Sequence, residues 1–278
     1  MKGKLFICPT PIGNLEDISY RTLRVLKEVD LIAAEDTRHT IKLLNHFDIS
    51  KPLISYHEHN KITKGSAIIS KLEEGTNIAL VSDAGMPGIS DPGADMVSLC
   101  IENSIKVEVL PGPSAFVVAL VGSGLDTNKF VFEGFLDRDK KKKKDRLEKI
   151  KNEERTLIVY ESPHRLKETL KLMFDILGER RISLCRELTK KYEDYHRTNI
   201  SQAINFYNEN DPRGEYILVL EGNSNPIDED LNNYSELSDR DYVIKLIEQG
   251  QSKKDAIKMV SRERKVKKDI IYKQVLDL

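Results

Sequence analysis

The stretch IALVSDAGMPGISDPG, residues 78–93, joins two kinds of chain. Its first four residues, Ile78–Val81, form a continuous apolar run with the length of a buried strand. From Ser82 onward the residues are glycine, proline and short polar side chains. Glycine permits positive φ and close backbone approach, and proline fixes φ. A strand is therefore expected to end here in a tight, pre-shaped loop. The arrangement recurs twice. The run 5–8 leads into PTPIGN at 9–14, and the run 107–110 leads into PGPSA at 111–115. Loops of this kind at the ends of neighbouring strands would line one crevice, the place where open α/β sheets bind ligands. Ser114 and Ala115 would also begin a helix, whose free N–H groups can meet a carboxylate or another anion.

Leu31–Ala34 adds a fourth apolar run, and amphipathic stretches lie between the strands. Leu23, Leu26 and Val29 recur at helical spacing, as do Ile41, Leu44 and Phe47. The alternation predicts an α/β domain over 1–118 with much parallel sheet. The second half repeats the theme, with strands expected at 130–132, 157–160, 182–185 and Tyr216–Leu220. Helices fit at 138–152, Pro163–Leu177 and 201–208. Polar turns between these strands allow a mixed sheet in a second α/β domain over 119–222. Residues 223–238 read as an acidic linker, carrying Asp228, Glu229, Asp230 and Glu236. Over 239–278 the chain holds eleven Lys/Arg against seven Asp/Glu. Its apolar spacing and the cap residue Ser252 predict three short helices of helix-turn-helix type.

The 278 residues carry 44 Lys+Arg and 45 Asp+Glu, so the chain as a whole is not basic. Positive charge is instead concentrated, in the C-terminal helices and in the run Lys140, Lys141, Lys142, Lys143 and Lys144. Two basic regions on a chain of net charge −1 point to a polyanion partner. Cys8, Cys100 and Cys185 sit in apolar stretches and read as reduced core thiols. No apolar run approaches the ~18–20 residues of a membrane span, and the apolar start is too short for a signal peptide. A cytoplasmic protein without membrane contact is expected. The P-loop, the dinucleotide fingerprint and the common zinc motifs are absent. The pair His57 and His59 lacks a third ligand, so no metal site is expected.

PTPIGNLxD, SDAGMPxISDPG, PGPSA, YESPHR and RELTK, in this order, resemble the tetrapyrrole methylase superfamily. Within it they are most similar to the ribosomal RNA small subunit methyltransferase I family. The motifs run from Pro9 to Lys190, and Gly214-Glu-Tyr216 extends the match. The resemblance implies two α/β domains with S-adenosylmethionine held in the cleft between them, a basic helical appendage, and a homodimer. It implies methyl transfer to the ribose 2′-oxygen of a decoding-centre cytidine in 16S rRNA, within the 30S subunit. Carried over residue by residue, the cofactor positions are Asp83, Ala84, Gly85, Met86, Pro87, Ile89, Ser114, Ala115, Tyr160, Glu161 and Ser162. Leu188, Tyr216 and Pro11 join them, with Pro11 and Gly13 facing the substrate side. A C-methyltransferase of a tetrapyrrole precursor, or a non-catalytic RNA-binding protein, are the alternative readings.

A sulfonium methyl is already electrophilic, so the chemistry asks mainly for in-line placement of the acceptor oxygen. A ribose hydroxyl must also lose its proton during or after transfer. Strand-end acids and bases that could take it are Glu35, Asp36, Glu161, His164 and Glu187. Glu35, Asp36 and Arg38 close a strand aimed at the crevice and are the acceptor-side candidates. Arg165, Arg186 and Lys190, with the lysine run, are the candidates for phosphate contacts.

Overall fold

The structure is a computed structural model that describes residues 1–91, 93–224, 237–248, 250–264 and 266–276. The chain divides into two compact units, Met1–Ser224 and Asn225–Leu278.

The first unit holds two five-stranded sheets. One is built from β1 (Lys4–Ile7), β2 (Leu31–Ala34), β3 (Leu53–Ser55), β4 (Ile78–Val81) and β5 (Lys106–Val109). Its order is β3-β2-β4-β1-β5, and every pairing is parallel. Parallel strands need crossovers, supplied by α1 (Tyr20–Glu28), α2 (Thr37–His46), α3 (Lys61–Glu73) and α4 (Gly93–Glu102). Central β4 is buried at all four positions, which is why it reads as an unbroken apolar run. Leu5, Ile7, Ala33, Ile78 and Leu80 pack on one face, with Ile68, Leu72, Met96 and Cys100. Ile32, Ala34, Ala79 and Val81 pack on the other, with Val25, Leu26 and Leu44. Caps fix the helix starts: Ser19 accepts from Thr22 N–H at 3.0 Å and Asp36 from Arg38 N–H at 2.8 Å.

The other sheet contains β6 (Phe130–Phe135), β7 (Thr156–Glu161), β8 (Arg181–Arg186), β9 (Asp194–Asn199) and β10 (Tyr216–Leu220). Its order is β6-β7-β10-β8-β9, with β6 and β7 parallel and the rest antiparallel, a mixed sheet. Its central strand β10 is again wholly buried. α6 (Lys140–Lys149), α7 (Pro163–Leu177) and α8 (Ile200–Glu209) cover one face, and α5 (Ala115–Ser123) covers the other. α7 starts with Pro163 in its first turn, while α5 and α7 end at Gly124 and Gly178, both at positive φ. β3, β9 and α3 are elements that the sequence pattern does not announce.

The second unit carries α9 (Asp239–Glu248), α10 (Lys253–Arg264) and α11 (Lys268–Gln274) around Tyr242, Leu246, Ile257, Val260 and Ile271. Ser252 caps α10, its Oγ accepting from Asp255 N–H at 3.2 Å. The expected acidic linker at 223–238 lies mostly outside the described residues.

The three cysteines are free and buried. Burial pushes the Cys8 thiol up to about 12 and those of Cys100 and Cys185 to about 11, so they are inert core side chains. No described helix is long and apolar enough to cross a membrane.

Candidate active site

The C-terminal ends of β1, β2, β4 and β5 all point one way, because their sheet is parallel throughout. Their loops converge on a cleft of about 640 Å³, closed on its far side by the strand ends of the second sheet. The loop after β4 supplies Ser82, Asp83, Ala84, Gly85, Met86, Ile89, Ser90 and Asp91. The other loops of the first sheet add Ile12, Glu35, Ser114 and Ala115. The second sheet contributes Phe135, Tyr160–Pro163 and Glu215–Ile217.

Two features hold the β4 loop in shape. Thr10 and Gly85 exchange backbone hydrogen bonds at 2.9 and 3.0 Å, and Thr10 Oγ1 donates to the Ser82 carbonyl at 3.1 Å. Gly85 sits at φ +82°, and a Cβ there would lie 3.2 Å from Ile12 Cγ2, so the position requires glycine. Asp91 accepts from the backbone N–H groups of Gly88 and Gly93, turning the loop back on itself. Asp83 accepts from Asp36 N–H at 3.1 Å, tying this loop to the end of β2.

Glu35 is half-buried at that end. Burial, and then the neighbouring carboxylates Asp83 and Asp91, raise its pKa above the ordinary carboxylate value. Asp91 is raised in the same direction, chiefly by burial. Asp36 and Arg38 behave differently. They grip each other through two contacts, at 3.1 and 2.8 Å, and neither lines the cleft. Hydrogen bonds from Arg38 hold Asp36 well below the usual carboxylate range. Of the three acceptor-side candidates, Glu35 alone borders the cleft.

On the opposite wall Glu161 is buried, with every carboxylate contact made inside the protein. Its Oε1 accepts from Ser162 N–H at 2.8 Å and meets the Arg165 guanidinium at 2.7 Å. Its Oε2 accepts from Thr169 Oγ1 at 2.6 Å, and Thr169 in turn accepts from the Lys143 ammonium at 3.1 Å. Lys143 is 2% exposed. The lysine run is thus not a uniform phosphate-binding face. Lys143 points inward because it shares the buried stripe of α6 with Leu147 and Ile150, while Lys140, Lys141, Lys142 and Lys144 are exposed.

Other candidates are placed as follows. Arg165 is committed to Glu161 and to the Leu136 carbonyl. Lys190 is held between Glu187 at 3.2 Å and Glu215 at 2.8 Å, so its charge is largely neutralised. Arg186 has a buried Nε without a hydrogen-bond partner. Pro11 is buried beside the cleft, Leu188 lies in the core under α5, and Pro87 borders a separate cavity of about 10 Å³ behind Glu35. None of these three lines the cleft. Phe135, Ile12, Ser90, Asp91, Pro163, Glu215 and Ile217 do line it without having been candidates. Phe135 packs edge-on to Tyr160 at 5.3 Å, so the far wall offers aromatic surface. Among the described residues no His, Cys, Asp and Glu cluster is arranged to hold a metal ion.

The tetrapyrrole (corrin/porphyrin) methylase family model matches residues 4–204. Among curated proteins, the chain is 51% identical over 271 residues to the ribosomal RNA small subunit methyltransferase I of Halalkalibacterium halodurans, covering 98% of this chain and 94% of that protein. It is 49% identical to the protein of that name from Bacillus subtilis, covering 97% and 93%. Among solved structures, uroporphyrin-III C-methyltransferase from Thermus thermophilus, complexed with S-adenosylhomocysteine, superimposes with a TM-score of 0.57 at 14% identity, covering 79% of this chain and 97% of that one. A cobalt precorrin-4 methyltransferase gives 0.60 at 14% identity, covering 78% and 94%. At such identities these structures show a shared fold.

Proposed function

Because the chain belongs to the tetrapyrrole methylase family, and within it to the ribosomal RNA small subunit methyltransferase I proteins, we propose that it methylates the ribose 2′-oxygen of a decoding-centre cytidine in 16S rRNA, using S-adenosylmethionine. The carrying observation is the contrast in likeness: 49–51% identity along nearly the whole chain to proteins named for small-subunit rRNA, against 14–19% to the porphyrin-type structures.

The cleft fits the cofactor. Gly85 leaves open a cradle that a side chain would crowd, Tyr160 and Phe135 offer aromatic faces, and Asp83, Ser114 and Ser162 offer polar groups. Asp83, Ala84, Gly85, Met86 and Ile89 would hold it from one side, with Ser114 and Ala115 at the start of α5. Tyr160, Ser162 and Tyr216 would hold it from the other, with buried Glu161 bracing the Ser162 N–H from behind. When bound, S-adenosylmethionine supplies a methyl group already made electrophilic by its sulfonium.

The protein's own residues then have two tasks. The converging loops fix the acceptor in line and exclude water, and positioning of this kind is worth about 7–11 kcal/mol. Glu35 takes the proton of the ribose hydroxyl onto its carboxylate, and its raised pKa brings it closer to a useful base strength at neutral pH. Exposed Lys140, Lys141, Lys142 and Lys144 meet RNA phosphates, orienting the substrate without reading its bases. The substrate in this reading is the 30S subunit, in the cytoplasm. The enzyme is a homodimer, for which exposed Val109, Val117 and Val121 supply apolar surface.

The test uses radiolabelled S-adenosylmethionine with 30S subunits from a strain lacking the native enzyme. Naked 16S rRNA and a porphyrin precursor serve as controls. Label on the ribose of one 16S cytidine is expected. Label in the porphyrin, or in no RNA despite measurable cofactor binding, overturns the reading.

A further inference from the structure

The helical unit handles its charges unequally. Four of its six described acids are engaged: Asp239 faces Arg264 at 3.8 Å, Asp241 and Asp255 accept from the Ser238 and Ser252 hydroxyls at 2.6 Å, and Glu263 accepts from Tyr242, while Glu248 and Asp269 are exposed. Lys253 and Lys254 on α10, and Lys267, Lys268 and Lys273 around α11, enter no ion pair among the described residues. With most of its carboxylates engaged by caps, by Arg264 and by Tyr242, the unit leaves these ammonium groups without a bonded carboxylate. Among them stands an aromatic ring. Tyr272 is 51% exposed although large, and the Lys253 ammonium lies 5.9 Å from its ring centroid. Ile270, two residues earlier, is 49% exposed.

We propose that this face is a stacking subsite for one unpaired RNA base, with Tyr272 as the platform and Lys253 and Lys268 on the adjoining phosphates. The inference rests on the rRNA reading above and assigns that polyanion a contact outside the cleft. The lysines alone would suit any polyanion. The exposed ring selects among them, since an acidic peptide or an anionic lipid surface has no flat π-face to lay on it. A paired A-form base is equally unsuitable, because both its faces are already stacked, whereas a splayed single-stranded base is free to stack. The cation beside the ring strengthens the site without reading sequence, so the subsite accepts any base.

The full chain is titrated with a fluorescent single-stranded RNA 12-mer at several salt concentrations. The same RNA as a duplex, and phosphatidylglycerol vesicles, are the comparison arms. Y272A is expected to weaken strand binding roughly 5- to 150-fold. Y272F, which keeps the ring, should bind within about two-fold of wild type on the same stacking argument. K253Q should flatten the slope of log affinity against log salt by about 0.7. Y272A binding as tightly as wild type overturns the subsite, as does an equal Y272A loss in binding of the duplex or the vesicles. Tyr272 is exposed, so Y272A should keep the wild-type unfolding curve; circular dichroism checks this, and the Y272F comparison isolates the ring. Label transfer to 30S subunits is measured with the same preparations. Transfer by wild type with unchanged Y272A binding sinks the subsite alone, and no transfer by wild type sinks the rRNA reading itself.

Discussion

Replacing Glu161 by Gln should cost far more than its place at the edge of a cleft suggests. Its carboxylate is the single anion among Arg165, Lys143 and Thr169, and its side chain is fully buried. Removing one member of a buried ion pair leaves uncompensated charge and costs about 3–5 kcal/mol. Arg165 keeps 22% of its side chain in solvent and can recover part of its hydration, so the lower end, about 3 kcal/mol, is expected. Lys143→Met keeps the shape and leaves Glu161 its arginine, its hydroxyl and its backbone N–H. That variant should cost about 1 kcal/mol or less. The double variant then loses both the anion and the buried ammonium, and should be more stable than the sum of the singles predicts, by about 0.5–3 kcal/mol. Urea unfolding of the four proteins measures this. With an m-value of about 3 kcal/mol/M, Glu161→Gln moves the midpoint by about 1 M. Cofactor titration separates stability from the site. In both Glu161 variants the Ser162 N–H keeps only a neutral amide oxygen as acceptor, so both should bind S-adenosylmethionine more weakly even where stability is restored. An unchanged midpoint for Glu161→Gln, or strict additivity in the double variant, refutes the reasoning.

Glu35→Gln should lower kcat about 10²- to 10⁴-fold with little change in cofactor affinity. In wild type the raised Glu35 pKa means that activity falls on acidification at a higher pH than an ordinary carboxylate would give, and this limb should vanish in the variant. A raised folded value also means that ionised Glu35 opposes folding: its stabilising share is present at low pH and lost as pH rises through that value. Glu35→Gln should therefore unfold at higher urea than wild type at pH 7, and a lower midpoint would contradict the assignment. Gly85→Ala forces an L side chain to φ +82° beside Ile12, at about 1–3 kcal/mol, and should weaken cofactor binding by calorimetry. The native protein should leave Cys8, Cys100 and Cys185 unlabelled by a thiol reagent at pH 8 and expose all three in denaturant; fast labelling of the folded chain would show that their burial is misjudged.

The sequence discloses most of the frame through its central strands. β4 and β10 are buried on both faces and so appear as apolar runs, while the loops that follow β1, β4 and β5 announce themselves through glycine and proline. Edge elements are harder. β9 is DYHRTN, half-buried and, among the described residues, paired only with β8, and β3 is three residues at the rim of its sheet. β9 has no apolar pattern, and β3, LIS, is too short to show one. α3 is obscured by a mid-helix Gly65 that its packing explains, since a Cβ there would come within 3.1 Å of Leu99. In the site, the β4 loop could be found by motif. Phe135 and Glu215 could not, because they reach the cleft only through the docking of the second sheet. Lys143 was legible in principle: it precedes Leu147 by four residues and Ile150 by seven, the spacing of a buried stripe. Four identical neighbours disguised it.

The strand order of the first sheet also governs how the protein is made. β1 is synthesised first, yet its partners are β4 and β5: Leu5 pairs with Ile78 on one side and with Val107 on the other. A nascent chain cannot place its first strand until β4 has left the ribosome, and it cannot close the second edge until Val109 has emerged. Through that interval Leu5 and Ile7, two of the most deeply buried side chains, have no sheet to enter. The first strand of this sheet is thus among the last of its domain to become protected, and folding of this half is a post-crossover event whose pace is set by long loop closures.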